Sequence, residues 1–170
     1  MTASPDDIAR VAELIGRPPQ GDFEVVVRHE SGSPVVIRNA PLLDDGTPMP
    51  TRYWLVDREL TRKLGTLESE GGVRRAEAEV DAADVAAAHA RYADEREAAI
   101  PPHWTGPRPS GGVGGTRQGV KCLHAHYAHF LAGGVDPVGL WVYQQLLAAE
   151  TATGTHVEAV DAVDVGEVSP

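Results

Sequence analysis

The segment DFEVVVRHESGSPVVIRNA, residues 22–40, decides the fold class of this chain. It contains two runs rich in β-branched residues, 22–29 and 34–40, and the residues ESGS lie between them. Two such runs joined by a short turn containing Gly and Ser predict a β-hairpin. Because the rest of the chain is mostly helical in its periodicity, we expect a single α+β domain built around a small antiparallel sheet.

A third strand and about five helices complete the predicted domain. The third strand is TRYWLV, residues 51–56, whose alternation places Tyr53 and Leu55 on one face. Cap residues, helical spacing and terminating glycines predict the helices. They extend from Pro5 to Gly16, from Asp57 to Gly71-Gly72, from Asp81 to about Ala99, from about Thr116 to Ala132, and from Pro137 to about Glu150.

Charge and composition restrict the classes of function. The chain has 25 acidic and 15 basic residues, a formal net charge of -10, and an acidic surface argues against broad nucleic-acid binding. Residues 150–170 contain five acids and no Lys or Arg, so we expect a globular domain at 1–149 and a disordered acidic tail. A solvated charged surface is the interpretation of four other residues, Glu68, Glu70, Arg74 and Arg75.

The cysteine count and the N-terminus bear on location. A single cysteine cannot form an internal disulfide, so no oxidising compartment is required. The N-terminal segment has acids where a signal peptide has bases, and no stretch approaches the length of a membrane span. We therefore expect a cytoplasmic protein that does not enter a membrane.

Two segments, PMPTRYWLVDRELTRKLGTLESEGGV (48–73) and GGTRQGVKCLHAHYAHFLAGGVDPVG (114–139), together resemble the signature of the DUF501 family. This is a bacterial family, frequent in actinobacteria, whose function is uncharacterised. The resemblance implies membership over roughly residues 1–147, but it implies no reaction and no ligand. The residues that carry it are Pro50, Thr51, Tyr53, Trp54, Leu55, Leu67, Glu68 and Gly71 in the first segment, and Gly119, Lys121, Cys122, Leu123, His124, Ala125, His126, Asp136, Pro137 and Gly139 in the second.

The segment KCLHAHYAHF, residues 121–130, contains the only cysteine and three of the seven histidines. On the predicted helix, Cys122, His126 and His129 share a face opposite the core stripe, whereas His124 lies on the flank of that stripe. Thiolate and imidazole ligands suit zinc. That face extends about 10 Å along the helix, so further ligands would come from elsewhere. The candidate metal ligands are Cys122, His126, His129, His103 and Asp136.

Two other interpretations of this segment stay open. Cys122 and His126 are candidate catalytic residues, a nucleophile and its base, with Lys121 adding nearby positive charge. Alternatively, the segment only packs the last two helices against the sheet, and the protein is a non-enzymatic interaction or structural protein. The sequence does not decide whether the protein is an enzyme, and zinc is its one candidate cofactor.

The glycine-rich segment SGGVGGTRQGVK, residues 110–121, leads into the Cys/His helix. Glycines allow backbone amides to approach a ligand closely, and the N-terminus of a helix favours anions. The spacing of a P-loop is absent, and a flexible connection is the alternative interpretation. The sequence predicts a site for a small anionic ligand formed by Gly114, Gly115, Arg117 and Lys121.

Overall fold

The predicted three-stranded antiparallel sheet is confirmed in a computed structural model, which describes residues 3–153. Strand β1 (Phe23–Arg28) pairs with β2 (Pro34–Asn39), and β2 pairs with β3 (Tyr53–Leu55). The order is β1-β2-β3, as in the chain. The predicted turn closes the hairpin through Gly32, whose φ of 84° lies in the left-handed region that suits glycine.

Residues 3–153 form six α-helices and one short 3₁₀ helix, so the mixed α+β class is confirmed with one helix more than expected. No helix in this part of the chain is both long and apolar enough to span a bilayer. The helices are α1 (Pro5–Ile15), α2 (Arg58–Ser69), α3 (Gly72–Glu79), α4 (Ala82–Ala98), α5 (Leu123–Leu131) and α6 (Pro137–Thr153), and the 3₁₀ helix is Val113–Gly115.

The additional helix is α3, which follows α2 without a loop. Gly71 and Gly72 end α2 as predicted, but they also turn the chain directly into α3. Gly71 has a φ of 84°, and a Cβ atom at Gly72 would lie 2.6 Å from the carbonyl oxygen of Leu67. The two glycines therefore form a tight corner between two helices, because neither position accepts a side chain without strain.

The sheet separates two hydrophobic clusters. Tyr53 and Leu55 contribute to the larger cluster, which contains the buried residues of α2 to α6, as the alternation of the third strand predicted. Trp54 and Val56 contribute to the smaller cluster, where Val11 of α1 packs. Helix α1 therefore covers one face of the sheet, and the other helices cover the face that carries the candidate site.

Helix α5 lies in the larger cluster between β3 and α6. The ring of Tyr53 in β3 stacks on the His129 ring, with the centroids 5.4 Å apart. On the other side, a Cβ atom at Gly139 of α6 would lie 2.3 Å from the Cβ atom of Phe130. The absence of a side chain at Gly139 therefore lets α5 and α6 approach closely.

Helix α6 extends through the start of the predicted tail. It ends at Thr153, whereas the acidic tail was expected to begin at residue 150. Residues 154–170 lie outside the described part of the chain, so the prediction of disorder stays a prediction.

Candidate functional site

The helix that carries the cysteine and histidines begins at Leu123, well after the predicted start. Residues 116–122 form a loop, in which Gly119 has a φ of 63° that no α-helix contains. The backbone N–H of Leu123 donates to Glu68 Oε1 at 2.6 Å, so a side chain of α2 caps the helix. The interpretation that placed Cys122 within this helix was therefore wrong.

Cys122 lies at the start of α5 in a cluster with His124 and Glu68. A sulfur, an imidazole nitrogen and a carboxylate oxygen of these residues all lie within 4.8 Å of one another. Imidazole Nδ1 of His124 is 3.1 Å from Glu68 Oε1, and Nε2 is 3.0 Å from the carbonyl oxygen of Thr61. The side chains of His124 and Glu68 are 24% and 26% exposed, so solvent reaches this Cys/His/Glu cluster.

The cluster changes the protonation of His124. Its hydrogen bond with Cys122 is the strongest influence, and the Thr61 carbonyl and the Glu68 carboxylate act in the same direction. Together they outweigh burial and raise the pKa of His124 to about 9. At neutral pH the ring is therefore an imidazolium, which donates from Nε2 to Thr61 and from Nδ1 into the cluster.

The other two histidines of α5 form a separate, buried group with Asp136. His126 and His129 are 1% and 4% exposed, so the prediction that they face away from the core was wrong. Their Nδ1 atoms lie 2.9 Å and 3.0 Å from Asp136 Oδ2. The backbone N–H of Gly139 donates to the other carboxylate oxygen at 2.9 Å. One carboxylate therefore pairs with the Nδ1 atoms of two buried imidazoles and with the first turn of α6.

The hydrogen bonds in this buried group control the charge of Asp136. Burial alone would raise the pKa of its carboxyl, but the hydrogen bonds from His126 and His129 outweigh it and hold the pKa at about 2. Asp136 is therefore ionised throughout the neutral range. His126 Nε2 is buried and has no hydrogen-bond partner among the described residues. A role for Cys122 and His126 as nucleophile and base stays a prediction.

The predicted metal ligands are thus divided between different places. His126, His129 and Asp136 lie together, Cys122 lies with Glu68 and His124, and His103 is exposed in the loop after α4. Sequence reasoning missed Glu68, which was interpreted as surface charge, and His124, which was assigned to the flank of the core. The feature of the sequence that could have marked Glu68 as a candidate site residue is its position in the first of the two signature segments.

The predicted anion-binding residues lie around the 3₁₀ helix in front of α5. Gly114 and Gly115 have φ angles of 64° and 75°, and Lys121 donates from Nζ to the carbonyl oxygen of Gly114 at 3.3 Å. Arg117 is exposed and lines two clefts of about 380 and 540 Å³. His89 of α4 also lines both clefts. An anion-binding role for these residues stays a prediction.

Comparison with known proteins identifies the family and no relative of known activity. A search of curated proteins and a search of solved structures found no match. The family model described as "Protein of unknown function (DUF501)" matches residues 25–144, which include both signature segments in full and every residue of the two histidine groups. The chain belongs to this DUF501 family, as its sequence signature predicted.

Proposed function

We propose that the protein binds zinc through Glu68, Cys122 and His124 and leaves a further coordination position open to a substrate or to water. The observation that carries the proposal is the approach of three different ligand atoms within 4.8 Å of one another. They come from α2, from the loop before α5 and from α5 itself. Only the folded chain brings them together.

The chemistry of the three donors favours zinc. Thiolate, imidazole and carboxylate are its usual protein ligands, at bond lengths of about 2.0 to 2.3 Å. Sites with three protein ligands and one open position are characteristic of zinc that takes part in catalysis. Bonds of these lengths place ligand atoms roughly 3.5 Å apart, so small side-chain rotations would complete the site.

The surrounding hydrogen bonds support a ligand role for His124. Metal-binding histidines commonly donate their other ring N–H to a carbonyl or carboxylate, which fixes the ring and the tautomer. His124 Nε2 lies 3.0 Å from the Thr61 carbonyl, which directs Nδ1 toward Cys122 and Glu68. The Leu123 N–H similarly holds one oxygen of Glu68. Zinc would replace the proton that His124 Nδ1 carries in the metal-free protein.

A reactive thiol is the second candidate function, and it rests on the short distance between the Cys122 sulfur and the His124 ring, which lie within 4.8 Å of each other. Reactive cysteines occupy partly exposed, electropositive places at the start of helices. Cys122 is partly buried, precedes the first residue of α5 and neighbours an imidazolium. Zinc and thiol chemistry use the same sulfur, so one set of variants can separate them.

The test is titration of untagged, metal-free protein with Zn²⁺, followed by calorimetry and by native mass spectrometry. One ion per chain is expected, with loss of binding in Cys122→Ser and in His124→Ala. Co²⁺ should give a thiolate charge-transfer band that disappears in Cys122→Ser. His103→Ala is the matched control, because it removes an exposed histidine outside the cluster.

Three outcomes would decide between the candidates. Binding of one zinc that is lost with Cys122 or His124 supports the metal site. Zinc binding that survives both substitutions contradicts it. A protein that binds no zinc but is alkylated at Cys122 faster than when His124 is replaced supports the thiol instead. Circular dichroism confirms that each variant is folded.

A further inference from the structure

The glycine-rich loop before α5 is attached to α4 by one histidine. Nδ1 of His89 accepts from the N–H of Val113 at 3.0 Å, so Nε2 carries the proton and donates to the carbonyl oxygen of Gly119 at 2.9 Å. His89 is 7% exposed, and a Cβ atom at Gly112 would lie 2.4 Å from it, so the loop packs directly on this side chain. Both ends of residues 113–119 are therefore held against α4.

A glutamate of α3 fixes the next residue of the loop. Oε1 of Glu77 accepts from the N–H of Val120 at 2.9 Å. A Cβ atom at Gly119 would lie 2.5 Å from the same oxygen, so the absence of a side chain there lets the carboxylate reach the backbone. The hydrogen bond holds the Glu77 carboxylate in one position and leaves its second oxygen available to a ligand.

Glu77 and Arg117 line the same cleft, which lies between α3, α4 and the glycine-rich loop. Its volume of about 380 Å³ falls in the range of small-molecule sites, roughly 300 to 1,000 Å³. The lining also includes Val85 and Val120, which are 5% and 6% exposed, and the partly buried Val80. The cleft therefore combines an apolar lining with one carboxylate and one guanidinium.

The two charges in this cleft do not neutralise each other. Within residues 3–153, neither Glu77 nor Arg117 forms an ion pair, so no guanidinium nitrogen lies within 4.0 Å of the carboxylate. Arg117 is exposed and also makes no side-chain hydrogen bond in this part of the chain, so its N–H donors are available. Opposite charges that line one cleft without touching are complementary to a ligand that carries both charges.

We propose that the cleft binds a small zwitterion with an aliphatic side chain, that is, an aliphatic α-amino acid such as leucine or valine. The carboxylate of the ligand pairs with the guanidinium of Arg117, whose fork of donors matches a carboxylate. Its ammonium pairs with the second oxygen of Glu77. Its side chain covers the apolar lining around Val85 and removes that surface from water.

Ligands with a single charge suit the cleft less well. A phosphate or a simple carboxylate would pair with Arg117 but would bring negative charge toward Glu77, and an amine would bring positive charge toward Arg117. The proposal therefore differs from the anion site predicted from the sequence. It retains Arg117 from that prediction, whereas Gly114, Gly115 and Lys121 do not line this cleft.

The test is titration calorimetry of the metal-free full-length chain with L-leucine, L-valine, 4-methylpentanoate and 3-methylbutylamine. The last two keep the aliphatic group of leucine and lack its ammonium or its carboxylate. One leucine per chain is expected, with dissociation constants about tenfold higher or more for both analogues. Arg117→Gln and Glu77→Gln should each weaken leucine binding by about tenfold or more, and Glu77→Gln keeps an acceptor for Val120. Arg62→Gln, at an exposed position of α2 outside the cleft, is the matched control.

Three results would overturn the proposal. The first is the absence of saturable binding of leucine and valine at millimolar concentrations. The second is leucine binding that neither cleft substitution weakens. The third is equal binding of 4-methylpentanoate, which would indicate a simple anion site at Arg117. Circular dichroism confirms that the variants are folded, and the analogue series decides the question if one of them is not. Because no metal is present and the substituted residues lie outside the Cys/His/Glu cluster, these results are independent of the proposed zinc site.

Discussion

Replacing Asp136 with Asn tests the buried group that joins α5 to α6. The difference between the ordinary pKa of 3.8 and the folded value of about 2 corresponds to about 2 kcal/mol of stability at neutral pH. Asn keeps one acceptor oxygen, but its NH₂ group would face an N–H of His126 or His129 and leave a buried donor unpaired. A buried, unpaired donor lowers the free energy of unfolding by about 1 to 3 kcal/mol. We expect Asp136→Asn to lose about 2 to 4 kcal/mol at pH 7.

The pH dependence gives this prediction a second readout. A carboxyl whose pKa is lowered by folding contributes stability above its ordinary pKa of 3.8, and this contribution is lost as the pH falls through about 2. Urea unfolding followed by circular dichroism should therefore show the wild type and Asp136→Asn converging between pH 5 and pH 2. Asp94→Asn, at an exposed position of α4, is the control. Equal stabilities at pH 7, or a difference that does not change with pH, would refute the reasoning.

Three further substitutions test the surroundings of the site by thermal unfolding. Gly134→Ala should destabilise the protein by about 1 to 3 kcal/mol, because the new Cβ would lie 2.1 Å from the His129 ring; an unchanged melting temperature would show that the ring moves freely. Gly112→Ala should lower the free energy of unfolding by a similar amount, since the new Cβ would lie 2.4 Å from His89. Gly106→Ala does not serve as a control, because a Cβ atom there would also clash with a neighbouring side chain. Arg96→Met should lower the melting temperature by several degrees, because Arg96 is 3% exposed and its guanidinium donates to carbonyls of two loops. A melting temperature equal to that of the wild type would mean that those loops hold their conformation unaided.

Local patterns were sufficient for most of the fold. The β-branched runs around ESGS gave the hairpin, and the alternation of residues 51–56 gave the third strand with the correct face for Tyr53 and Leu55. Ser4 and Asp57 cap α1 and α2 through their side chains as expected. The hairpin, the third strand and the two helix caps depend on residues that are adjacent in the sequence, so they can be predicted from local patterns.

The start of α5 was misplaced because distant residues determine it. Val120 N–H donates to Glu77 at 2.9 Å, and Leu123 N–H donates to Glu68. Both acids come from helices that precede α5 by more than forty residues, so no cap residue marks the start locally. Helical periodicity alone therefore extended the helix back into the loop.

The division of the histidines was hidden for a related reason. Amphipathic analysis assigns histidines to the solvent face, since an unpaired imidazole is costly to bury. Asp136 offsets part of that cost by pairing with Nδ1 of His126 and of His129, and Glu68 pairs with His124 beside Cys122, where solvent reaches the side chains. The sequence contains all of these residues, but only the fold shows which carboxylate pairs with which imidazole.

The turn between α5 and α6 has a fixed length as a consequence of Asp136. A surface turn that contains Gly133 and Gly134 would ordinarily accept an inserted residue. Here the carboxylate must reach back to His126 and His129 and also hold the N–H of Gly139. One additional residue would rotate or shift Asp136 away from at least one of these groups. Insertions or fusion points are therefore better placed in the exposed loop after α4 than at this turn.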